Sequence, residues 1–286
     1  MSVKSLDKLV EKAGDLRTIS SVAQKVLDLI NADYATAGML GDALNKDQSL
    51  AAHILRVANS AFFNVSREIT TLPMAVSVLG LRNLRDQVLV ATARGTYKRF
   101  GKIEKMLWSH SVACAIAARL LAKRYAPRLA EDAFICGLLH DIGKVVLNNE
   151  RPAEFTNVMM LTYNEGYSSI LAEREIFGYS HTQVGAMIAT NWNYPPIIIE
   201  VTFLHHNDEE PRPLVKEPDL LKVLACVDLA NLICKILGID YREAKVGVSL
   251  ERRPAAQLFN IPSAHLVELT SLVRETYRKE SAGWAN

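Results

Sequence analysis

Apolar residues recur at three- and four-residue intervals along nearly all of the 286-residue chain, and strand-like alternation bounded by turn residues never persists. That rhythm predicts an all-α protein, a helical bundle, because a 3.6-residue period turns one stripe of each segment toward a core. Val22, Val26, Leu29 and Ile30 form one such stripe, and Asp47 is placed to cap a second helix carrying Leu50, Ile54, Leu55 and Ala58. Asn59 and Ser60 end that helix. A loop with Pro73 follows, then a stretch from Ala75 to Ala93 in which Gly80 ends one helix and begins another.

The polar run TYKRF between Gly95 and Gly101 marks a boundary between lobes. Residues 1–100 read as an N-terminal helical lobe, 101–240 as a helical core and 241–286 as a C-terminal helical extension. Within the core and extension the helices are expected at 103–124, 131–148, 152–164, 168–176, 181–193, 196–206, 219–237 and 263–279, with Ser263 as the last cap. Pro195-Pro196 and the acidic NDEEPRP at 207–213 separate the later ones.

Charge narrows the partners. Thirty-three Lys and Arg face thirty-one Asp and Glu with no basic stripe interleaved with aromatics, which argues against nucleic acid. No run approaches the roughly 18 apolar residues of a membrane span. The opening MSVKSLDKLVEKAG alternates charged and apolar residues, unlike a secretory signal, so a cytoplasmic location is expected. Cys114, Cys136, Cys226 and Cys234 lie in apolar stretches without C-x-x-C spacing and read as small core residues.

Five of the seven histidines fall between residues 110 and 206, and their register says more than their number. His110 shares its stripe with Cys114, Ala117 and Leu121. Asp141 aligns with Leu138, Ile142 and Val145, beside His140, while His181 shares a face with Gly185, Ile188 and Trp192. Asp228 aligns with Leu221, Ala225 and Leu232, and His205-His206 end a helix. A single histidine on an apolar face is more often a core residue with a hydrogen-bond partner than a ligand, and His53 and His265 read as structural or exposed. Together with a buried carboxylate, which is costly without a counter-charge, the set points to metal. Seven nitrogen and oxygen donors suit two carboxylate-bridged divalent transition-metal ions, with iron or manganese favoured. Lys144, three residues after Asp141, can hold an anionic substrate or complement the C-terminus of its helix.

HDIGK at 140–144 resembles the HD superfamily of metal-dependent phosphohydrolases, and the ordered set His110, His140-Asp141, His181, His205-His206, Asp228 resembles its two-metal branch. The resemblance implies one metal on His110, His140, Asp141 and Asp228, a second on His181, His205 and His206, and Asp141 between them. More narrowly, DQSLAAHILRVANSAFF, AVSVLGLRNLRDQVLV, LLHDIGK and EREIFGYSHTQVGAMIATNWNYPP resemble an HDOD domain over about residues 18–215. HDOD domains are regulatory or output modules of bacterial signalling. Many lack some metal ligands, whereas this chain keeps all seven.

The chain departs from the cyclic-dinucleotide phosphodiesterases of the HD-GYP type. HHNDEEPRPL stands where those carry an acidic residue and a Gly-Tyr-Pro motif, and Met106 stands where trinuclear members have a glutamate. The resemblance therefore implies a signalling protein with a dinuclear site that acts on other signalling proteins in trans. Its alternative is a phosphohydrolase acting on a nucleotide or other phosphoester, with Asp141 and Lys144 as catalytic residues. A di-iron redox sensor is a lesser alternative.

Overall fold

The computed structural model describes residues 3–13, 20–32, 34–60, 63, 65, 68–206, 215–239 and 249–280. Among these residues all regular structure is helical and no strand occurs, as the periodicity predicts. The chain forms two compact units, one of Arg17–Thr96 with Arg278–Asn286, the other of Met1–Leu16 with Tyr97–Tyr277.

The smaller unit holds α2 (Ser21–Ile30), α3 (Ala37–Leu44), α4 (Gln48–Ala58) and α5 (Leu72–Gly95). Ser20, Thr36, Asp47 and Thr71 each accept a hydrogen bond from a first-turn backbone N–H, so every helix starts on a side-chain cap worth about 1 kcal/mol. The apolar stripes, with Val26, Leu40, Leu44, Ile54, Leu84 and Val88 fully buried, form one core. Gly80 interrupts α5 with a φ of 70°, the break expected there. Asn59 ends α4 and clamps the following loop: its amide donates to the carbonyls of Leu55 and Ile69 at 2.9 and 2.8 Å, and its oxygen accepts from Ile69 N–H at 2.8 Å. His53 is hydrogen-bonded to Gln87 at 2.9 Å, a structural role as expected.

In the larger unit α6 (Lys102–Tyr125) is the central helix, buried almost continuously from His110 to Ala122. Its alanines allow α7 (Ala130–Leu139) and α13 (Pro218–Ile236) to pack closely on two sides. Around them lie α8 (Ile142–Glu150), α9 (Pro152–Asn164), α10 (Ser169–Phe177), α11 (His181–Asn191) and α12 (Pro196–Leu204). The short α14 (Pro254–Leu258) packs on α13, α15 (Ser263–Glu280) belongs to this unit up to Tyr277, and α1 (Val3–Ala13) rests on α8 and α11. All four cysteines are free thiols within buried helical segments.

One expectation is corrected. The single helix expected over 131–148 is two, because the chain breaks at His140 and Asp141, where Asp141 takes φ −98° and ψ 15°. Two consecutive residues of one helix point about 100° apart, and the joint lets both side chains face one interior. It also places Lys144 in the first turn of α8, so complementing a helix C-terminus is not its role. NDEEPRP at 207–213 lies outside the described residues, as do 240–248 of the C-terminal extension.

Candidate metal centre

Three glycines bring the helices of the centre together. A Cβ on Gly143 would stand 2.0 Å from the His181 carbonyl oxygen and 2.8 Å from Gly185 N, so α8 and α11 touch backbone to backbone. A Cβ on Gly137 would meet the Cys114 carbonyl oxygen at 2.9 Å, which holds α7 against α6. These contacts bring His110 on α6, the His140-Asp141 joint, His181 at the start of α11, and His205-His206 just after α12 into one buried cluster.

Asp141 is the centre of that cluster, and its two oxygens face different groups. Oδ1 lies 3.1 Å from His181 Nε2 and 3.4 Å from His205 Nε2. Oδ2 lies 3.5 Å from His140 Nε2, 3.8 Å from His110 Nε2 and 2.8 Å from Lys144 Nζ. Two donor sets share this one carboxylate: Asp141, His181, His205 and His206, and His110, His140 and Asp141.

The imidazole tautomers follow from what each Nδ1 touches. His140 Nδ1 lies 2.7 Å from the Gly137 carbonyl, His205 Nδ1 2.9 Å from the Thr202 carbonyl, and His181 Nδ1 2.7 Å from Glu173 Oε2. Carbonyl and carboxylate oxygens only accept, so all three Nδ1 atoms are donors. Each Nε2 is thereby left to face inward. The Nε2 atoms of His181 and His205 stand 3.2 Å apart, and in neutral rings their lone pairs would confront each other. Two nitrogens each about 2.1 Å from one metal ion stand roughly 3.0–3.4 Å apart, so the spacing fits a shared cation. Among the described residues Nε2 of His140 has no hydrogen-bond partner, and it lies in the same cluster.

Electrostatics agree with ligand protonation states. Burial pulls His110 down to about 3 and holds His140, His205 and His206 below the ordinary imidazole range, so these four rings are neutral at pH 7. Burial pushes the Asp141 carboxyl up, but His140, Lys144, His181 and His205 more than offset it, and it stays ionised. His181 is the exception. Burial lowers it, yet the Glu173 charge and its bonds to Asp141 and Glu173 raise it above the usual value. Without metal, a proton between His181 and His205 relieves their lone-pair conflict.

Six of the seven residues singled out as metal ligands thus converge. Asp228 on α13 belongs to neither donor set. Its Oδ1 accepts from Arg253 Nη2 at 2.5 Å and its Oδ2 from Arg253 Nε at 3.3 Å. Both line a cavity of about 540 Å³ that reaches His205 and is otherwise walled by apolar residues of α12, α13 and α14. A second cavity, of about 40 Å³, is lined by His110, Asp141, Lys144 and Glu173. Glu173 was missed by the sequence reading. Its signal was an acidic residue on the apolar stripe of Ile170 and Phe177, the same kind of misfit that identifies Asp141.

A helical bundle that gathers histidines of several helices around the aspartate of a His-Asp helix joint is an HD-type domain. The chain belongs to the HDOD domain family, whose profile matches residues 16–208. The HDOD resemblance read from the sequence is borne out. The fold is similar to an HDOD domain protein of unknown function from Geobacter sulfurreducens, at 25% identity and a TM-score of 0.72 over 99% of this chain and 97% of that one. It is also similar to a candidate phosphohydrolase from Shewanella amazonensis SB2B, at 23% identity and a TM-score of 0.63 over 97% and 95% of the two chains. An uncharacterized protein of Treponema pallidum (strain Nichols) is 27% identical over 177 residues, 60% of this chain, which spans about a third (34%) of that relative's length. Among the described residues no helix is long and apolar enough to cross a membrane.

Proposed function

We propose that this chain is a regulatory HDOD protein of bacterial signalling whose buried His/Asp cluster holds two divalent metal ions, and whose output passes through contacts with other signalling proteins in trans. Asp141, His181, His205 and His206 would hold one ion, and His110, His140 and Asp141 the other. Bound there, the ions supply Lewis-acid charge that in related chemistry polarises a phosphoryl oxygen.

The observation that carries a regulatory over a catalytic reading is the narrowness of the space beside the shared carboxylate. His140 and His181 are fully buried, and the cavity beside Asp141 and Lys144 measures about 40 Å³. Ligand sites ordinarily measure about 300–1,000 Å³. Lys144, which a phosphate would require, is ion-paired with Asp141. A panel of phosphomonoesters, nucleotides and cyclic dinucleotides offered to manganese- or iron-loaded protein should show no turnover.

The phosphohydrolase reading rests on a specific observation as well, since the 540 Å³ cavity reaches His205. The guanidinium of Arg253 in its lining is engaged by Asp228, which weighs against phosphate capture. Efficient turnover of any one ester, abolished by Asp141→Ala, would establish that reading and overturn the regulatory one.

A further inference from the structure

We propose that Glu173 is the positioning residue of the metal centre: it fixes the ring and tautomer of His181 and supplies a negative charge behind that ligand. The inference rests on the metal-centre reading above and extends it to a residue outside the ligand set.

Glu173 stands on α10, eight residues before His181, and is fully buried. Its Oε2 accepts from both the backbone N–H and the Nδ1–H of His181, each at 2.7 Å. His181 is the first residue of α11, so the carboxylate also satisfies an orphan N–H at the positive end of that helix. One oxygen therefore ties the first N–H of the helix and the ring to the same group, beside the Ser180–Gln183 capping box that starts the helix. With Nδ1 committed as donor, Nε2 is left toward Asp141 Oδ1 and His205 Nε2.

His140 and His205 are oriented differently. Each leans on a neutral carbonyl three residues back in its own helix, whereas His181 heads its helix and has no preceding helical turn to use. The chain supplies a carboxylate from α10 instead. A carboxylate makes the imidazole a stronger donor, and loss of such a partner typically costs about 10–100-fold in metal affinity. A purely packing role does not account for the other oxygen. Among the described residues Glu173 Oε1 is buried without a hydrogen-bond partner, and Glu173 lines the 40 Å³ cavity with His110, Asp141 and Lys144. An ionised group in that position is costly unless cations face it.

The test is Co²⁺ titration of the full chain, read by its visible ligand-field bands, for wild type, Glu173→Gln and Glu173→Ala. Gln keeps an oxygen able to accept both N–H groups, removes the charge and puts an amide NH2 where Oε1 stands, so the helix start and the fold should be retained. Its Co²⁺ affinity should fall about 10–100-fold, and Ala should fall further with altered bands. Wild-type affinity in both variants would overturn the inference while leaving the metal centre standing. Wild-type protein that takes up no Co²⁺ would overturn both. Should the variants fail to fold, ¹⁵N spectra of Zn²⁺-loaded wild type serve instead: the inference requires His181 bound through Nε2 with Nδ1 protonated, and binding through Nδ1 would contradict it.

Discussion

His181 and His205 meet nitrogen to nitrogen at 3.2 Å, each with its other ring nitrogen already committed to an oxygen. Such a pair needs a cation between its members. Protonation of His181, raised by Glu173 despite burial, meets that need when metal is absent. Metal uptake should therefore displace about one proton near neutral pH. Calorimetric titration with Mn²⁺ in buffers of different ionisation enthalpy measures it, and heats independent of buffer would contradict it.

Substitution of Gly143 by Ala should be among the most damaging single changes. The added methyl would need the space of the His181 carbonyl oxygen, 2.0 Å away, and backbone cannot yield as a flexible side chain does. Overpacking of this kind costs about 1–3 kcal/mol or more, a fall of roughly 2–4 °C in melting temperature per kcal/mol in a chain of this size. Metal uptake should fall with it. Thermal denaturation and elemental analysis of the same preparation test both.

Acid should destabilise the metal-free protein well before carboxylates titrate. His110, His140, His205 and His206 are neutral in the fold but take a proton near pH 6.5 when unfolded, so stability falls as pH drops below about 6.5. For His110 the loss continues down to about 3. Each such ring contributes a slope of about 1.4 kcal/mol per pH unit. His181 acts in the opposite sense: its raised value adds stability that is present below pH 6.5 and lost as pH rises through its folded value. Asp141, held below the usual range, adds stability that is lost as pH falls below about 3.8 and on through its folded value. Urea titrations from pH 7.5 to 4.5 should show a net decline, and a flat profile would contradict it.

Asp228 should matter less for metal than Asp141. Its carboxylate is turned to Arg253, whereas Asp141 faces both donor sets. Asp228→Asn should therefore retain most bound metal while Asp141→Asn loses it, as read by elemental analysis of the two variants. Equal loss would show that Asp228 leaves Arg253 to bind.

Much of this was legible in the sequence, because helical periodicity reports directly on burial. The all-α fold, the Asp47 cap, the Gly80 break and the inward register of His110, Asp141 and His181 all follow from spacing. What stayed hidden depends on distance across the fold. Periodicity ran the helix through His140-Asp141, since the flanking apolar residues keep phase across the joint. Arg253 lies 25 residues from Asp228, and nothing local marks them as a pair. Glu173 was visible only as an acidic misfit on an apolar stripe, and its partner lies on the next helix.

The most direct measurement is the metal content of folded wild-type chain, purified without added metal and then equilibrated with Mn²⁺ or Fe²⁺ and desalted. About two ions per chain are expected, one for each donor set sharing Asp141. A protein with native helical circular dichroism that holds no metal after equilibration would contradict the metal centre itself.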